Sequence, residues 1–472
     1  MNLTIPYLTP SIQDGELEFV KYANFLAAML DRRERSPRSG SNPIELTVDA
    51  TLSCQLLCPY CETGSGAITR KPANLKAAFH DDLMNALGDT AFFIQYFSNG
   101  EPLLNKGLPA MIREHRRRET FSLISTNLSL PLSAERIDDL LTSGLGFICA
   151  SVDGTTAESY QQYRVGGDFG LVVENIGKLV RRKQELGLTL PIIEWRFLVF
   201  RHNEGELDKA VRMAFDLGVD VIEFFPGSAP DGDSGQPVYL SSVPIPAPAG
   251  PALARALART DRRLHRILKG QTHVEKERPR EMQSRKCDWL YLGTMIYPDQ
   301  GVAPCCLKAG QEYDFGRLDQ GTAFESVWNG DSYLGARELF NGRGNRALLC
   351  TTCPLPPSQD YQFRSQLRAI LRNAPDWALK LLAGNADRFF WPVDHYLCPV
   401  ELAALPAAAG EIDAYPHWLL ERLEAAAREA PTDLKRGRLR QLAELVGLGA
   451  GASAIGPGTA GVPEAAAHPA CG

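Results

Sequence analysis

The sequence predicts an α/β protein whose first half is built from parallel βα units. Three observations lead there. Between Ile44 and about Pro226, six apolar strand runs alternate with helical stretches, the order of βα units rather than of hairpins. Between the last two runs, Leu207, Val211, Ala214 and Phe215 recur at helical spacing and stop at Leu217-Gly218, where a glycine ends the helix. Beyond residue 286 the pattern changes, with cysteines recurring around a hairpin and a helical stretch after Pro356. With 472 residues, 44% of them hydrophobic and 22% charged, the chain can build cores for two or three domains.

Residues 1–43 read as a lead-in with a helix over 17–30, followed by a polar Arg/Ser/Gly run, 31–41, expected to be a solvated linker. The first strand, 44–49, alternates apolar and polar residues. The next runs are 91–97, 121–126, 146–154, 191–200 and 219–225. Residues 227–251, with Pro230, Pro237, Pro244, Pro246, Pro248 and Pro251, read as a linker or a lid. The arginine- and lysine-rich stretch 252–286 reads as a solvated face, helical in its first half. Leu367, Ile370 and Leu371 mark one helical face after Pro356, and 418–445 contains another. The segment 391–398 reads as an aromatic turn, and the Gly/Ala/Pro tail from 447 as disordered.

Two cysteine sets stand out. Directly after the first strand, Cys54, Cys58 and Cys61 fall in a C-x3-C-x2-C spacing with Tyr60 just before the last. Three thiolates are one fewer than a closed zinc or cubane site needs, so a [4Fe–4S] cube held this way keeps one iron open. The spacing also suits one face of a helix, but Pro59 opposes a helix there. Zinc would need a fourth ligand, and the nearest histidine, His80, is far along the chain. The second set is Cys287, Cys305, Cys350 and Cys353, four thiolates able to close a cube or a structural zinc site. Tyr297-Pro298-Asp299-Gln300 and the run after it read as a hairpin delivering Cys305 from its second strand, with Cys306 as a spare thiol or alternative ligand.

Bulk properties narrow the function. The net charge of −6 supplies no basic field for nucleic acid. The first residues lack the basic and apolar regions of a secretory signal, and no apolar run reaches membrane-spanning length. Eleven scattered cysteines argue for metal binding in a reducing cytoplasm rather than a disulfide framework.

Strand, then C-x3-C-x-aromatic-C, resembles the radical S-adenosylmethionine (SAM) enzymes. That resemblance implies an open partial (β/α)6 barrel over 44–250, with SAM chelated to the open iron and cleaved reductively to a 5′-deoxyadenosyl radical. An electron donor such as flavodoxin or ferredoxin would then be a partner. Ser98-Asn99-Gly100-Glu101-Pro102 resembles the family's Gly-Gly-Glu-Pro motif, with Asn99 in place of the first glycine. Gly100 and Glu101 would then receive the amino group of SAM. Cys149, Ser151 and Asp153 share one strand parity. In the family a Ser or Thr at this place contacts SAM, which implies Ser151. The segment 163–169 resembles the family's arginine-glycine run, so Arg164 would clamp the methionine carboxylate; Asn127 is a weaker candidate contact. The second cysteine spacing resembles the twitch domain, over 251–356, with one auxiliary [4Fe–4S] cluster. Only Cys398 and Cys471 follow, too few for the second cluster of a full SPASM domain. Residues 357–446 would be a helical extension and 447–472 a tail.

Three functional readings compete. Twitch relatives act on amino sugars and aminocyclitols of antibiotic pathways, implying dehydrogenation, dehydration or epimerisation of a small polyhydroxylated substrate. Cys149 would be the hydrogen donor if the outcome is epimerisation, although buried cysteines usually only fill space. Asp153, Glu194 and Arg196 are further polar residues near the strand ends. Maturation of a ribosomal peptide is the alternative, set second because 43 residues are short for a peptide-recognition domain. A non-catalytic cluster or zinc protein comes last.

Overall fold

A computed structural model describes residues 17–227 apart from 116, 117, 119 and 189. It further describes 243–244, 287–343 apart from 288, 348–351, 353, and eight positions between 421 and 443. Helix α1 (Leu17–Glu34) leads into the sheet. Strands β1 (Glu45–Val48), β2 (Phe93–Gln95), β3 (Phe121–Thr126), β4 (Phe147–Ser151), β5 (Ile192–Val199) and β6 (Val221–Pro226) then lie side by side in chain order. All five pairings between them are parallel. Parallel neighbours need crossovers, and helices α2 (Ala77–Leu87), α3 (Leu108–His115), α4 (Ala134–Thr142), α5 (Ala157–Tyr163), α6 (Phe169–Glu185) and α7 (Leu207–Leu217) supply them.

Local chemistry explains where these helices begin and end. Ser133 caps α4 by accepting from Arg136 N, and Asp168 caps α6 by accepting from Leu171 N. Thr156 and Ser159 form a reciprocal capping box on α5. On α7, Leu207, Ala210, Val211 and Ala214 are buried, and Gly218 closes the helix at φ 75°. Phe215, expected on that face, is only half-buried. Leu46, Val48, Ile94, Ile124, Ile148, Ala150, Trp195 and Phe197 are fully or nearly fully buried and form the core between strands and helices.

The sheet does not stop at β6. Strand β7 (Val243–Pro244) pairs antiparallel with β6 at one edge. At the other, β8 (Gly293–Ile296) pairs parallel with β1, and β9 (Gly301–Ala303) and β10 (Gly316–Arg317) follow antiparallel. Among the described residues the result is an open ten-stranded sheet, with β10 and β7 at its edges. The expected hairpin is therefore present, and it continues the sheet of the first unit.

One expectation is overturned. Residues 31–41 are not a solvated linker: Asp31, Ser39 and Ser41 are almost completely buried. Ser39 N donates to Asn329 Oδ1, Asn329 Nδ2 donates to Ser39 O, and Trp328 Nε1 donates to Ser41 O. Asp31 Oδ2 also accepts from Gly40 N at 2.7 Å. The polar residues look solvated in sequence because their partners lie almost 300 positions away. The expected lid apart from 227 and 243–244, the basic stretch 252–286, the segment 357–420 and the tail lie outside the described residues. Among the described residues, no helix is long and apolar enough to cross a membrane.

Candidate functional site

Loops leaving the C-terminal ends of β1 to β5 meet over one end of the sheet, where βα proteins gather reacting groups. The loop after β1 holds Cys54, Cys58 and Cys61, which pack into one small cluster with Leu56, Tyr163, Phe200 and Leu198. Several contacts brace that loop. Gln55 Nε2 donates to Asn127 Oδ1 at 2.8 Å and to Ser129 O at 3.0 Å, while Leu57 N donates to Val165 O at 2.9 Å. Gly64 is tight against the loop: a Cβ there would lie 2.6 Å from Cys58 N. Tyr60 stacks on Tyr163 with ring centroids 6.0 Å apart, and Tyr163 meets Phe200 at 4.6 Å.

The donor chemistry suits an iron–sulfur cluster. The ligands are soft thiols, and Cys54 Sγ accepts from Leu56 N at 3.5 Å and from Asn127 Nδ2 at 3.7 Å, the outer-shell donors such sulfurs use. Among the described residues no three His, Cys, Asp or Glu side chains form a ready-made metal shell, so composition and support identify this loop. Burial raises the Cys54 thiol to about 11.

Gly100, Glu101, Asn127 and Ser151 lie at or just beyond the ends of β2, β3 and β4. Glu101 is 2% exposed, with Oε1 accepting from Leu103 N and Thr126 Oγ1 and Oε2 from Asn127 N. It thus ties the end of β2 to the end of β3. Burial raises its pKa against those hydrogen bonds and the nearby Arg164 charge. Gly100 is obligatory in this packing, because a Cβ would sit 1.9 Å from Thr51 O. Asn99, the departure from the family motif, is held by Asp49, which accepts from its backbone N and its Nδ2, both at 3.0 Å.

Arg164 ends α5 and donates through Nε to Asp153 Oδ2 at 2.5 Å; Asp153 Oδ1 accepts from Leu198 N. Burial opposes the guanidinium's charge, yet Asp153, Cys58, Tyr163 and Tyr160 outweigh it and raise the pKa. Arg164 is therefore not a surface ion pair. On the sheet, Ser125 Oγ lies 3.1 Å from Ser151 Oγ and 3.4 Å from Cys149 Sγ. Cys149 is 1% exposed, and burial pushes its thiol up to about 12.

The second cysteine set assembles differently. Cys305 follows β9, Cys287 precedes the short helix Trp289–Leu292, and Cys350 lies in the helix Leu348–Thr351. Burial raises the Cys305 thiol, with Cys306, Cys287 and Cys353 adding to the effect; Cys350 responds to Cys305 and Cys353. These four are electrostatic neighbours. Cys306 differs: it is solvent-exposed, and besides Cys305 its charged neighbours are Glu45 and Asp49 of the β1 side.

Three participants escaped the sequence reading. Gln55, Ser125 and Arg70 act through long-range pairs that no local pattern marks. Arg70 is buried, pairs with Asp299 at 2.8 Å and with Asp314, and lies over the Tyr297 ring at 3.6 Å. Together with Glu62 Oε2, which accepts from Ala309 N at 3.0 Å, it fastens the first cysteine loop to the hairpin of the second set.

No protein-family model matches the chain. It is 27% identical over 181 residues to a PqqA peptide cyclase of Granulibacter bethesdensis, 38% of this chain and 46% of that protein. It is 27% identical over 192 residues to a GTP 3′,8-cyclase of Peptoclostridium acidaminophilum, 38% and 55% respectively. It therefore spans about half the length of these two relatives. A PqqA peptide cyclase of Rhodopseudomonas palustris aligns further, 24% identical over 335 residues, covering 69% of this chain and 83% of that one.

Proposed function

We propose, for a chain that belongs to the radical SAM enzymes, that it takes a hydrogen atom from a carbon of a small polyhydroxylated substrate held in the barrel. Its cofactors are SAM and a [4Fe–4S] cluster. When bound, these supply a 5′-deoxyadenosyl radical that can abstract hydrogen from an unactivated carbon. Cys54, Cys58 and Cys61 would hold the cluster, with an electron donor such as flavodoxin or ferredoxin as partner, and Cys287, Cys305, Cys350 and Cys353 would hold an auxiliary one.

The chain's own residues would do the rest. Arg164, held charged beside Asp153, suits the methionine carboxylate of SAM. Glu101 retains acceptor capacity for the amino group, with Gly100 letting backbone approach and Asn127 and Ser151 close by. Tyr60, 37% exposed and stacked on Tyr163, offers an aromatic wall for the adenine.

The observation that favours a polar, hydroxyl-bearing substrate is the lining of the sheet beneath the cysteine loop: Cys149 and Ser151 joined through Ser125, with the Glu194–Arg196 pair in register beside them. With its thiol pushed to about 12, Cys149 keeps its hydrogen at neutral pH, the form able to return a hydrogen atom. Peptide maturation is the second reading, and the peptide cyclases among the relatives favour it.

The deciding experiment is product mass after anaerobic turnover with SAM and reductant in D2O. The panel holds amino sugars and aminocyclitols, with 5′-deoxyadenosine followed in parallel. Deuterium retained at carbon supports epimerisation with Cys149 as donor. Loss of two hydrogens or of water assigns dehydrogenation or dehydration and leaves Cys149 as packing. 5′-Deoxyadenosine formation with every panel compound unchanged rejects the small-molecule reading in favour of peptides.

A further inference from the structure

Residue pairs in register on neighbouring parallel strands present their side chains to the same face. Cys149 pairs with Glu194, and Ser151 with Arg196. Ser125, itself in register with Cys149, bridges the two β4 side chains, so all five residues share the face that Asn127 extends up to Cys54. Glu194 is completely buried on that face. Its Oε1 accepts from Arg196 Nε at 2.8 Å, but its Oε2 is buried without a hydrogen-bond partner. The neighbouring Cys149 thiol is a weak donor and cannot stand in for a strong one.

A buried carboxylate oxygen left unpaired costs free energy, and such an atom in a folded protein calls for a reason. Glu45 and Gln95, hydrogen-bonded to each other, stand on the same face of β1 and β2. The described acidic and basic side chains of strands β1 to β5 on this face, besides the Cys149 thiol, are Glu45, whose carboxyl burial raises, and Glu194 against the single guanidinium of Arg196, a balance that is negative wherever Glu45 is ionised. A face of that sign favours a cation, and an ammonium gives a carboxylate a shorter and stronger bond than a neutral hydroxyl does.

We infer that Glu194 determines substrate specificity by receiving an ammonium group of the substrate on Oε2, beside Cys149 and Ser151. This inference rests on the small-molecule reading above and narrows it to amine-bearing substrates. Arg196 is a positioning residue, because it occupies Oε1 and leaves Oε2 to the ligand.

The test uses the anaerobically reconstituted holoenzyme with SAM bound and calorimetric titration of two probe pairs: glucosamine against N-acetylglucosamine, and 2-deoxystreptamine against its di-N-acetyl derivative. Acetylation removes the positive charge and leaves the ring hydroxyls. The wild-type protein is expected to prefer the free amine of at least one pair by about tenfold or more. Glu194→Gln is expected to bring the two affinities together, while Glu194→Asp keeps the preference at lower affinity. A preference that survives in Glu194→Gln overturns the role of Glu194 but leaves the small-molecule reading standing. Equal wild-type affinity for free and acetylated forms overturns the ammonium and points to hydroxyl recognition. Binding of neither pair, with SAM still bound, overturns both readings. If circular dichroism shows Glu194→Gln unfolded, Glu194→Asp decides: unchanged amine affinity rejects the role, and weakened but selective binding supports it.

Discussion

The two cysteine sets reach comparable positions by opposite routes. The first lies within eight residues, Cys54 to Cys61, on one loop, and the tertiary structure only braces it through Gln55, Asn127, Val165 and Glu62. The second draws Cys287, Cys305, Cys350 and Cys353 from separate places, and the sheet assembles it by adding β8 and β9 beside β1. Ligands close in sequence lose little chain entropy when gathered, whereas ligands 66 positions apart, from Cys287 to Cys353, depend on the fold to pay the closure. Damage to the fold should therefore reach the second set before the first.

The largest expected effect separates the two directly. Replacing any of Cys54, Cys58 or Cys61 by alanine should abolish 5′-deoxyadenosine formation and lower the iron content. Cys305→Ala should lower the iron content while leaving measurable 5′-deoxyadenosine. Iron determination and chromatography of the turnover mixture read both; 5′-deoxyadenosine at wild-type level from Cys58→Ala would refute the assignment of the first loop.

Next comes the brace between the sets. Arg70→Ala strands Asp299 and Asp314 without their partner and removes a cation from the Tyr297 ring. Breaking a buried ion pair by deleting one member costs roughly 3–5 kcal/mol. Denaturant unfolding should show that loss, and the second set should release iron at lower denaturant than the first.

A smaller loss is expected within the first region. Glu101→Ala leaves the donors of Leu103, Thr126 and Asn127 unmet in a buried setting. At roughly 1–3 kcal/mol for an orphaned group, with water replacing some of the lost bonds, the net cost should be about 3 kcal/mol in chemical unfolding. Glu101→Gln, which keeps an acceptor oxygen, should lose less.

The smallest effect concerns pH. Burial raises the Glu45 carboxyl from 4.5 to about 7, against the hydrogen bond from Gln95. Between those values the folded state binds more protons than the unfolded one, so stability falls as pH rises from about 4.5 to 7. Below that window the neutral carboxyl imposes no penalty. Glu45→Gln should flatten this part of the pH–stability curve and be the more stable protein above pH 7. A wild-type curve that rises through the window, with no flattening in the variant, would refute this.

Much of the site was legible because its signals are local. The C-x3-C-x2-C spacing, the Asn-Gly-Glu-Pro turn and the parity of Cys149 and Ser151 each sit within a few residues, and each turns up at a strand end. Asn99, anomalous in sequence, has its reason in Asp49, a partner 50 positions away. The error over residues 31–41 has the same origin: hydrophilic side chains satisfied by Trp328, Asn329 and one another are indistinguishable in sequence from solvated ones.

By itself, the sequence determined the alternation of strand and helix, the helix stops and caps, and the two sets of thiols, since periodicity and spacing are properties of neighbouring residues. Only the tertiary structure decided that β8 joins β1 and makes one sheet of both regions, that Arg70 links the cysteine loop to the hairpin, and that Cys306 has Glu45 and Asp49 as further charged neighbours. It also left Glu194 Oε2 unpaired among polar neighbours. Hydrogen bonds and charges act through space, and which distant residues meet is settled by packing, where each strand's neighbour is chosen by the whole sheet.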